Sequence, residues 1–500
     1  MTEKHHALHN TIQSVPLYGH ASPFTLIPLA KSVGIGLLLL AFVLTGCANT
    51  GNTGNTGNQT STPLTLPTKG ATSTHVPSPA SVPSSTATDW TTYHRDNTRA
   101  GAIANMPDPH SLARSWNMQL DGAVYAEPLV VGTHVFIATE GDSLYSLDSR
   151  TGKIQWHTNV GTPVPQSSLP CGNINPLGIT GTPVYDAKTG LIFAVAEVSG
   201  PQHLLVGIDA LSGKVRVRRS VNPPGMDIIA HQQRAALVLS QDMVYIAFGG
   251  LNGDCGNYHG WVVASRTDGN GSLLSYQVPT TREGGIWAAS GPAVDTAGNI
   301  YVAVGNGETT QGNWDHSDSI LRLSPTLQLE DGFAPTTWRQ ENAVDADLGS
   351  MGPLLLPNGL VFADGKGGQG YLLHADALGG IGGQAYQASI CRAFGGAAAL
   401  GSQVFVPCTD GIREVTIGPG ATMTVGWHTQ QQIAGSPVVG GHTVYSLAPY
   451  GGVLYALNST NGSVRTSVQV GQTSHFATPT LAGNSIFIGT MTGVVAITIS

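Results

Sequence analysis

Apolar residues along this chain come in short runs separated by glycine, aspartate, asparagine or serine. The stretch 126–156, AEPLVVGTHVFIATEGDSLYSLDSRTGKIQW, shows the pattern most fully. Apolar runs at 129–131, 135–138 and 144–147 are broken by Gly132-Thr133 and Gly141-Asp142. A polar turn at 148–152 then leads into Ile154 to Trp156. Runs of this length with these breakers predict four strands joined by hairpins. One small sheet cannot bury both of its faces, so the unit predicts copies of itself.

The copies share a start: a small residue, usually followed by proline, then an apolar run. It recurs at Glu127-Pro128, Thr182-Pro183, Gly291-Pro292, Gly352-Pro353, Ser436-Pro437 and Thr478-Pro479, with weaker forms at 234–237 and 396–398. That makes eight starts at spacings of roughly 40 to 60 residues, the range of propeller blades. The last copy supplies about three strands, and residues 112–120 offer the missing one, with Trp116 in the place Trp156 holds. A first strand that completes the last sheet closes a ring and removes its open edge. The expectation is an all-β, eight-bladed β-propeller over residues 89–500, its last blade closed by an N-terminal strand.

The leader has a different pattern. Residues 33–44 form an apolar core too short to span a bilayer comfortably, followed by Leu44-Thr45-Gly46-Cys47. This ending resembles a bacterial lipoprotein signal, which implies cleavage before Cys47 and its acylation. An uncleaved signal anchor is the other reading. Residues 48–88 carry almost no large apolar side chains and cannot offset their ordering entropy. They are expected to form a tether spanning roughly 35 Å. Three regions follow: a signal at 1–47, a tether at 48–88 and the propeller at 89–500. The expected location is the cell membrane, lipid-anchored on the extracytoplasmic side, as a monomer.

Composition narrows the chemistry. Charged residues are 10% of the chain and the net charge is -8 without a basic run, which argues against nucleic acid. Beyond Cys47 stand Cys171, Cys255, Cys391 and Cys408, an even number in an exported chain. In a blade, residues just before the first strand share a face with residues just after the second. That rule puts all four cysteines on one face and predicts the pairs Cys171–Cys255 and Cys391–Cys408. The alternative is four separately buried thiols; no CxxC spacing supports zinc. The same rule collects Trp287, Asp345, Asp347 and His475 with Glu140, Glu197, Asp254, Asn306, Lys366 and Asp410 around one funnel mouth.

The endings SLDSRTGKIQW and GIDALSGKVRV resemble the repeat of pyrroloquinoline-quinone (PQQ)-type propellers. Their eight-bladed members include quinoprotein alcohol dehydrogenases and a non-enzymatic outer-membrane assembly lipoprotein. Within 234–376 the chain is similar to the dehydrogenases. The resemblance implies that Trp287 of GGIW underlies a quinone and that Lys366 of FADGKGGQGYLL contacts it. It further implies that Asn306 of VAVGNG and Asp254 of NGDCGNYHGWV ligate calcium. Departures stand beside these matches. The adjacent cysteine pair is absent, with Cys171-Gly172 nearby, and the arginine after it is missing. At the catalytic aspartate Asn313 stands in register, while Asp315, the candidate base, or Asp318 needs a shift. Each residue also has a plain structural reading: Asp254 as a hairpin cap, Asn306-Gly307 as a turn pair, Trp287 as a wedge between blades.

Two functions follow. The first is a membrane-anchored propeller that binds a small ligand or an envelope protein through its funnel face, without catalysis. The second is a PQQ- and calcium-dependent oxidoreductase acting on alcohols or sugars. A role in envelope-protein assembly rests on fold analogy alone.

Overall fold

The computed structural model describes residues 89–500. The expected signal, Cys47 and the tether lie outside the described residues. Among the described residues eight sheets follow in chain order, as the eight starts predict, antiparallel apart from the added edge strands Ala102–Ile103 and Gly380–Ile381. Blade 1 comprises Leu129–Val131, His134–Thr139, Ser143–Asp148 and Ile154–Asn159. The first strands of blades 2 to 7 are Val184–Asp186, Val238–Ser240, Ala293–Val294, Leu354–Leu356, Ala398–Leu400 and Val438–Gly440. Blade 8 joins Thr480–Ala482, Ser485–Thr490 and Gly493–Ile499 to Leu112–Gln119 from the other end of the chain. Trp116 pairs with Ala496, so the ring closes as expected.

The apolar runs are continuous because both faces of each sheet are buried. Along blade 1, Val135 and Ile137 belong to the core shared with blades 7 and 8, while Phe136 and Ala138 belong to the core shared with blade 2. The two-residue period of a strand thus sends alternate side chains to alternate neighbours.

Three tryptophans dock one blade on the next. Trp116, Trp156 and Trp427 lie on fourth strands, and their indole N–H groups donate to the carbonyls of Ser149 (3.1 Å), Ala210 (2.9 Å) and Ser459 (2.9 Å). Each ring covers a turn glycine with positive φ: Gly152, Gly213 and Gly462. A Cβ there would stand 2.6, 2.8 and 2.3 Å from the ring, so only glycine fits. The preceding Asp148 caps the first of these turns, accepting from the Thr151 backbone N–H at 2.8 Å.

A segment the apolar pattern did not distinguish completes the ring. Residues 90–101 carry few apolar residues, yet Trp90, Tyr93, His94 and Arg99 are buried. The segment bonds in turn to all eight blades. Trp90 pairs with Val130, Thr91 accepts from Tyr185, and Thr92 donates to Leu237. The carbonyls of Asn97, Thr98, Ala100 and Gly101 accept from Val294, Leu355, Ala399 and Val439. His94 Nε2 meets Thr478 Oγ1 at 3.1 Å. Burial lowers the His94 pKa to about 3, so it is neutral there. Arg99 spends its guanidinium on Pro292, Thr92, Tyr93 and Leu237. The arm meets the first strands beyond their start, so it floors the central channel.

Both disulfides form with the expected pairing, Cys171–Cys255 and Cys391–Cys408. Among the described residues, no helix is long and apolar enough to cross a membrane.

Candidate functional site

The mouth opposite the arm holds a cavity of about 140 Å³. Its wall is made where the second strands of blades 3, 4 and 5 end. Met243–Gly250 ends in two glycines that make room for neighbours. A Cβ on Gly249 would stand 2.7 Å from Trp287 Cβ, and one on Gly250 2.6 Å from the Tyr258 ring. Asn306 follows Ile300–Val304 and Lys366 follows Leu360–Ala363. Asp254, Trp287, Asn306, Asp345 and Lys366 all line this one cavity, together with Arg234 and Tyr258.

The charges in the wall are largely matched to one another. Lys366, 12% exposed, pairs with Asp345 and stands 3.3 Å from the fully buried Asp347. Burial acts to lower the Lys366 pKa, but Asp347 and Asp345 outweigh it and hold it above the ordinary lysine value. Burial raises Asp347, against the attraction of Lys366 and a hydrogen bond from Trp287 Nε1 at 3.1 Å. Lys366 Nζ also lies over the Trp287 ring, 5.4 Å from its centroid. Asp254 Oδ1 accepts from the Tyr258 hydroxyl at 2.7 Å. Arg282 donates to the Asp254 carbonyl at 2.9 Å and to Glu283, and Asn306 Nδ2 donates to Glu283 at 3.3 Å.

The other side of the mouth is aromatic. Trp287 meets Phe394 and Phe476 at centroid distances of 6.4 and 6.2 Å. His475 lies 4.7 Å from Phe476 and 6.2 Å from Tyr450, which is 86% exposed.

Several contacts in this wall compete with a quinone held on calcium. Calcium takes about 6–8 oxygen ligands. Among the described residues no group of three or more acidic, His or Cys side chains is arranged to hold a metal. The Arg282 guanidinium is already bonded to the Glu283 carboxylate and to the Asp254 backbone carbonyl. The Lys366 ammonium lies on a face of Trp287 that a flat ring would need. The cavity is also small beside the roughly 300 Å³ at the lower end of cofactor and drug sites.

Of the residues singled out in the sequence, Asp254, Trp287, Asn306 and Lys366 come together. Asp315 does not line the mouth cavity; it sits in a turn, accepting from Ser317 Oγ at 2.6 Å. Asp318, the shifted alternative, is buried and accepts from the Leu348 backbone N–H at 2.6 Å. Asp410 pairs with Arg413 at 2.8 Å. Glu140 and Glu197 are buried, accepting from Gly178, Thr180 and Gln233. Sequence reasoning missed Arg234, Tyr258 and Phe476 as site residues. Arg234 had a signal: it interrupts the small-and-apolar start that the other blades share.

Fold and docking tryptophans together define an eight-bladed β-propeller, whose docking turns resemble those of PQQ-type repeats. Residues 108–247 match the family model described as "Outer membrane protein assembly factor BamB". In fold the chain is similar to a europium-containing methanol dehydrogenase, at TM-score 0.65 and 14% identity, covering 82% of this chain and 98% of that one. It is similar to a quinohemoprotein alcohol dehydrogenase from Pseudomonas putida at TM-score 0.64 and 14% identity, covering 84% and 83%. BamB from Moraxella catarrhalis aligns at TM-score 0.55 and 16% identity, covering 78% of this chain and all of that one (100%). A search of the curated proteins finds no match.

Proposed function

We propose that this protein is a lipid-anchored, extracytoplasmic propeller that binds a small polar ligand in its mouth cavity, without redox chemistry. One observation carries the reading: the mouth gathers Asp254, Trp287, Asn306, Lys366 and Arg234 around one small cavity, with Lys366 already paired to Asp345 and Asp347. The two disulfides suit an oxidising compartment. The departures at the covering cysteines and at the base, and Arg282 on the Glu283 carboxylate, weigh against oxidation chemistry. A second reading, a PQQ- and calcium-dependent alcohol or sugar oxidoreductase, is favoured by the meeting of Trp287, Asn306 and Lys366 in one wall.

One titration separates the two. The full-length chain is monitored by tryptophan fluorescence, with Trp287→Phe identifying the reporting ring. Addition of PQQ with calcium, then dye reduction with primary alcohols, tests the oxidoreductase. Small polar solutes test the binder. Quenching by a polar solute that Trp287→Phe abolishes, with no dye reduction, is the expected result. Dye reduction that depends on Lys366 and Asn306 would replace the first reading with the second.

A further inference from the structure

Arg234 differs from the other charged groups of the mouth. It stands where the mouth cavity meets a second, smaller cavity of about 10 Å³ at the channel floor, since it lines both. Its guanidinium lies 5.2 Å from the Phe476 ring centroid. Among the described residues no carbonyl or carboxylate accepts a hydrogen bond from it, whereas Arg99 makes four hydrogen bonds. Two carboxylates are near enough to act on its charge, Glu140 and Glu197. Glu197 is engaged elsewhere, accepting from the Gln233 backbone N–H at 2.7 Å and facing His203 at 3.6 Å. Glu140 is spent on Gly178 and Thr180. The floor cavity holds a second orphan: Ser474, 5% exposed, has a hydroxyl without a hydrogen-bond partner among the described residues.

A half-buried cation without a protein acceptor and a buried hydroxyl without a protein partner, lining the same small space, both suit an oxygen ligand. A guanidinium fork matches a carboxylate in two parallel bonds. A dianionic phosphate would meet one cation and the nearby acidic side chains, so a monoanion is the better complement. Other groups lining the cavity ask for the reverse chemistry. Among the described residues, Asp254 Oδ2 and the Asn306 amide oxygen are acceptors at the mouth without donors. They would receive hydroxyl groups.

We propose that the mouth cavity takes a small polyhydroxy carboxylate, such as a sugar acid, with its carboxylate on Arg234 and its hydroxyls on Asp254 and Asn306. This rests on the mouth being a ligand site, and it adds the end-to-end polarity of the ligand. Arg234 is then the specificity residue that separates acids from neutral sugars.

The test is calorimetric titration of the full-length, oxidised chain with D-galacturonate, D-galactose and inorganic phosphate. The expected result is binding of galacturonate alone, weakened at least ~tenfold by Arg234→Gln, as loss of a charge-assisted hydrogen-bond pair requires. Arg234→Lys should restore part of it, because the charge returns without the fork. Asp254→Ala should weaken galacturonate while leaving the preference for acid over phosphate. Circular dichroism and the unfolding midpoint check that each variant is folded. Galactose binding as tightly as galacturonate, or galacturonate binding unchanged in Arg234→Gln, overturns the proposal and leaves the mouth a ligand site of other specificity. Failure of every solute, in calorimetry and in Trp287 fluorescence alike, overturns both this proposal and the ligand-site reading.

Discussion

Substituting Gly152 by alanine tests how the ring is closed. The residue has φ of 71°, and an added Cβ would lie 2.6 and 2.7 Å from Trp116 Cδ2 and Cε3. Carbon contacts normally settle near 3.5–4.0 Å, so the indole must move by about 1 Å. That movement strains its 3.1 Å bond to the Ser149 carbonyl. The left-handed backbone costs about 1–2 kcal/mol for a non-glycine residue. Displacing a packed ring costs about 1–3 kcal/mol more. Gly152→Ala should therefore destabilise the chain by about 2–5 kcal/mol. Gly132→Ala is the control: its φ is 57° and nothing lies within 4 Å of an added Cβ. It should show the backbone cost alone. In a Trp116→Ala background the overlap disappears, and Gly152→Ala should fall to the control value. Urea unfolding of the four variants and the wild type, read by circular dichroism, gives the double-mutant cycle. Equal costs for Gly152→Ala and Gly132→Ala, or no change of cost when Trp116 is removed, would refute the docking argument.

Burial raises the Glu140 pKa to about 8, above its ordinary 4.5. Its stabilising protonated form is complete below 4.5 and is lost as pH rises to 8, a slope of ~1.4 kcal/mol per pH unit. Glu140→Gln should flatten part of that fall in midpoint-versus-pH curves; the remainder comes from Asp142, which burial and Glu140 also raise to about 8, and from Glu127, Asp318, Asp347 and Asp364, all raised by burial. Replacing Cys391 and Cys408 by alanine opens a loop of separation 17 and should cost about 3 kcal/mol in urea unfolding under oxidising conditions. Retention of Cys47→Ser in the membrane fraction with a lipid label still attached would contradict the expected anchor.

The ring was legible because its signal is local and repeated. A proline after a small residue opens a strand, and a tryptophan on the outermost strand docks it on the next blade, as at Trp116 and Trp156. The disulfide pairing was legible for the same reason, since face assignment follows from strand direction. The mouth was legible only in part. Asp254, Trp287, Asn306 and Lys366 sit at fixed offsets from strand ends, so topology brings them together. Whether each is free to bind depends on neighbours far away in sequence. Arg282 answers Glu283 beside Asp254, and Asp347 holds Lys366; neither contact has a period or a spacing to read. Residues 90–101 escaped for a related reason. They bury polar and aromatic side chains by bonding to eight separate sheets, and a search for apolar runs does not register that kind of burial.

That arm has a consequence for how the repeats can vary. In a chain of stacked repeats stability is held between neighbours, so one weak member lets its side fray. Here a single dozen-residue strap grips every member by its inner strand. A blade without a docking tryptophan, such as blade 4 or 5, remains held from the axis. The sequence of individual blades is thereby released from carrying the repeat, and the mouth between blades 3 and 5 is where the chain has used that freedom.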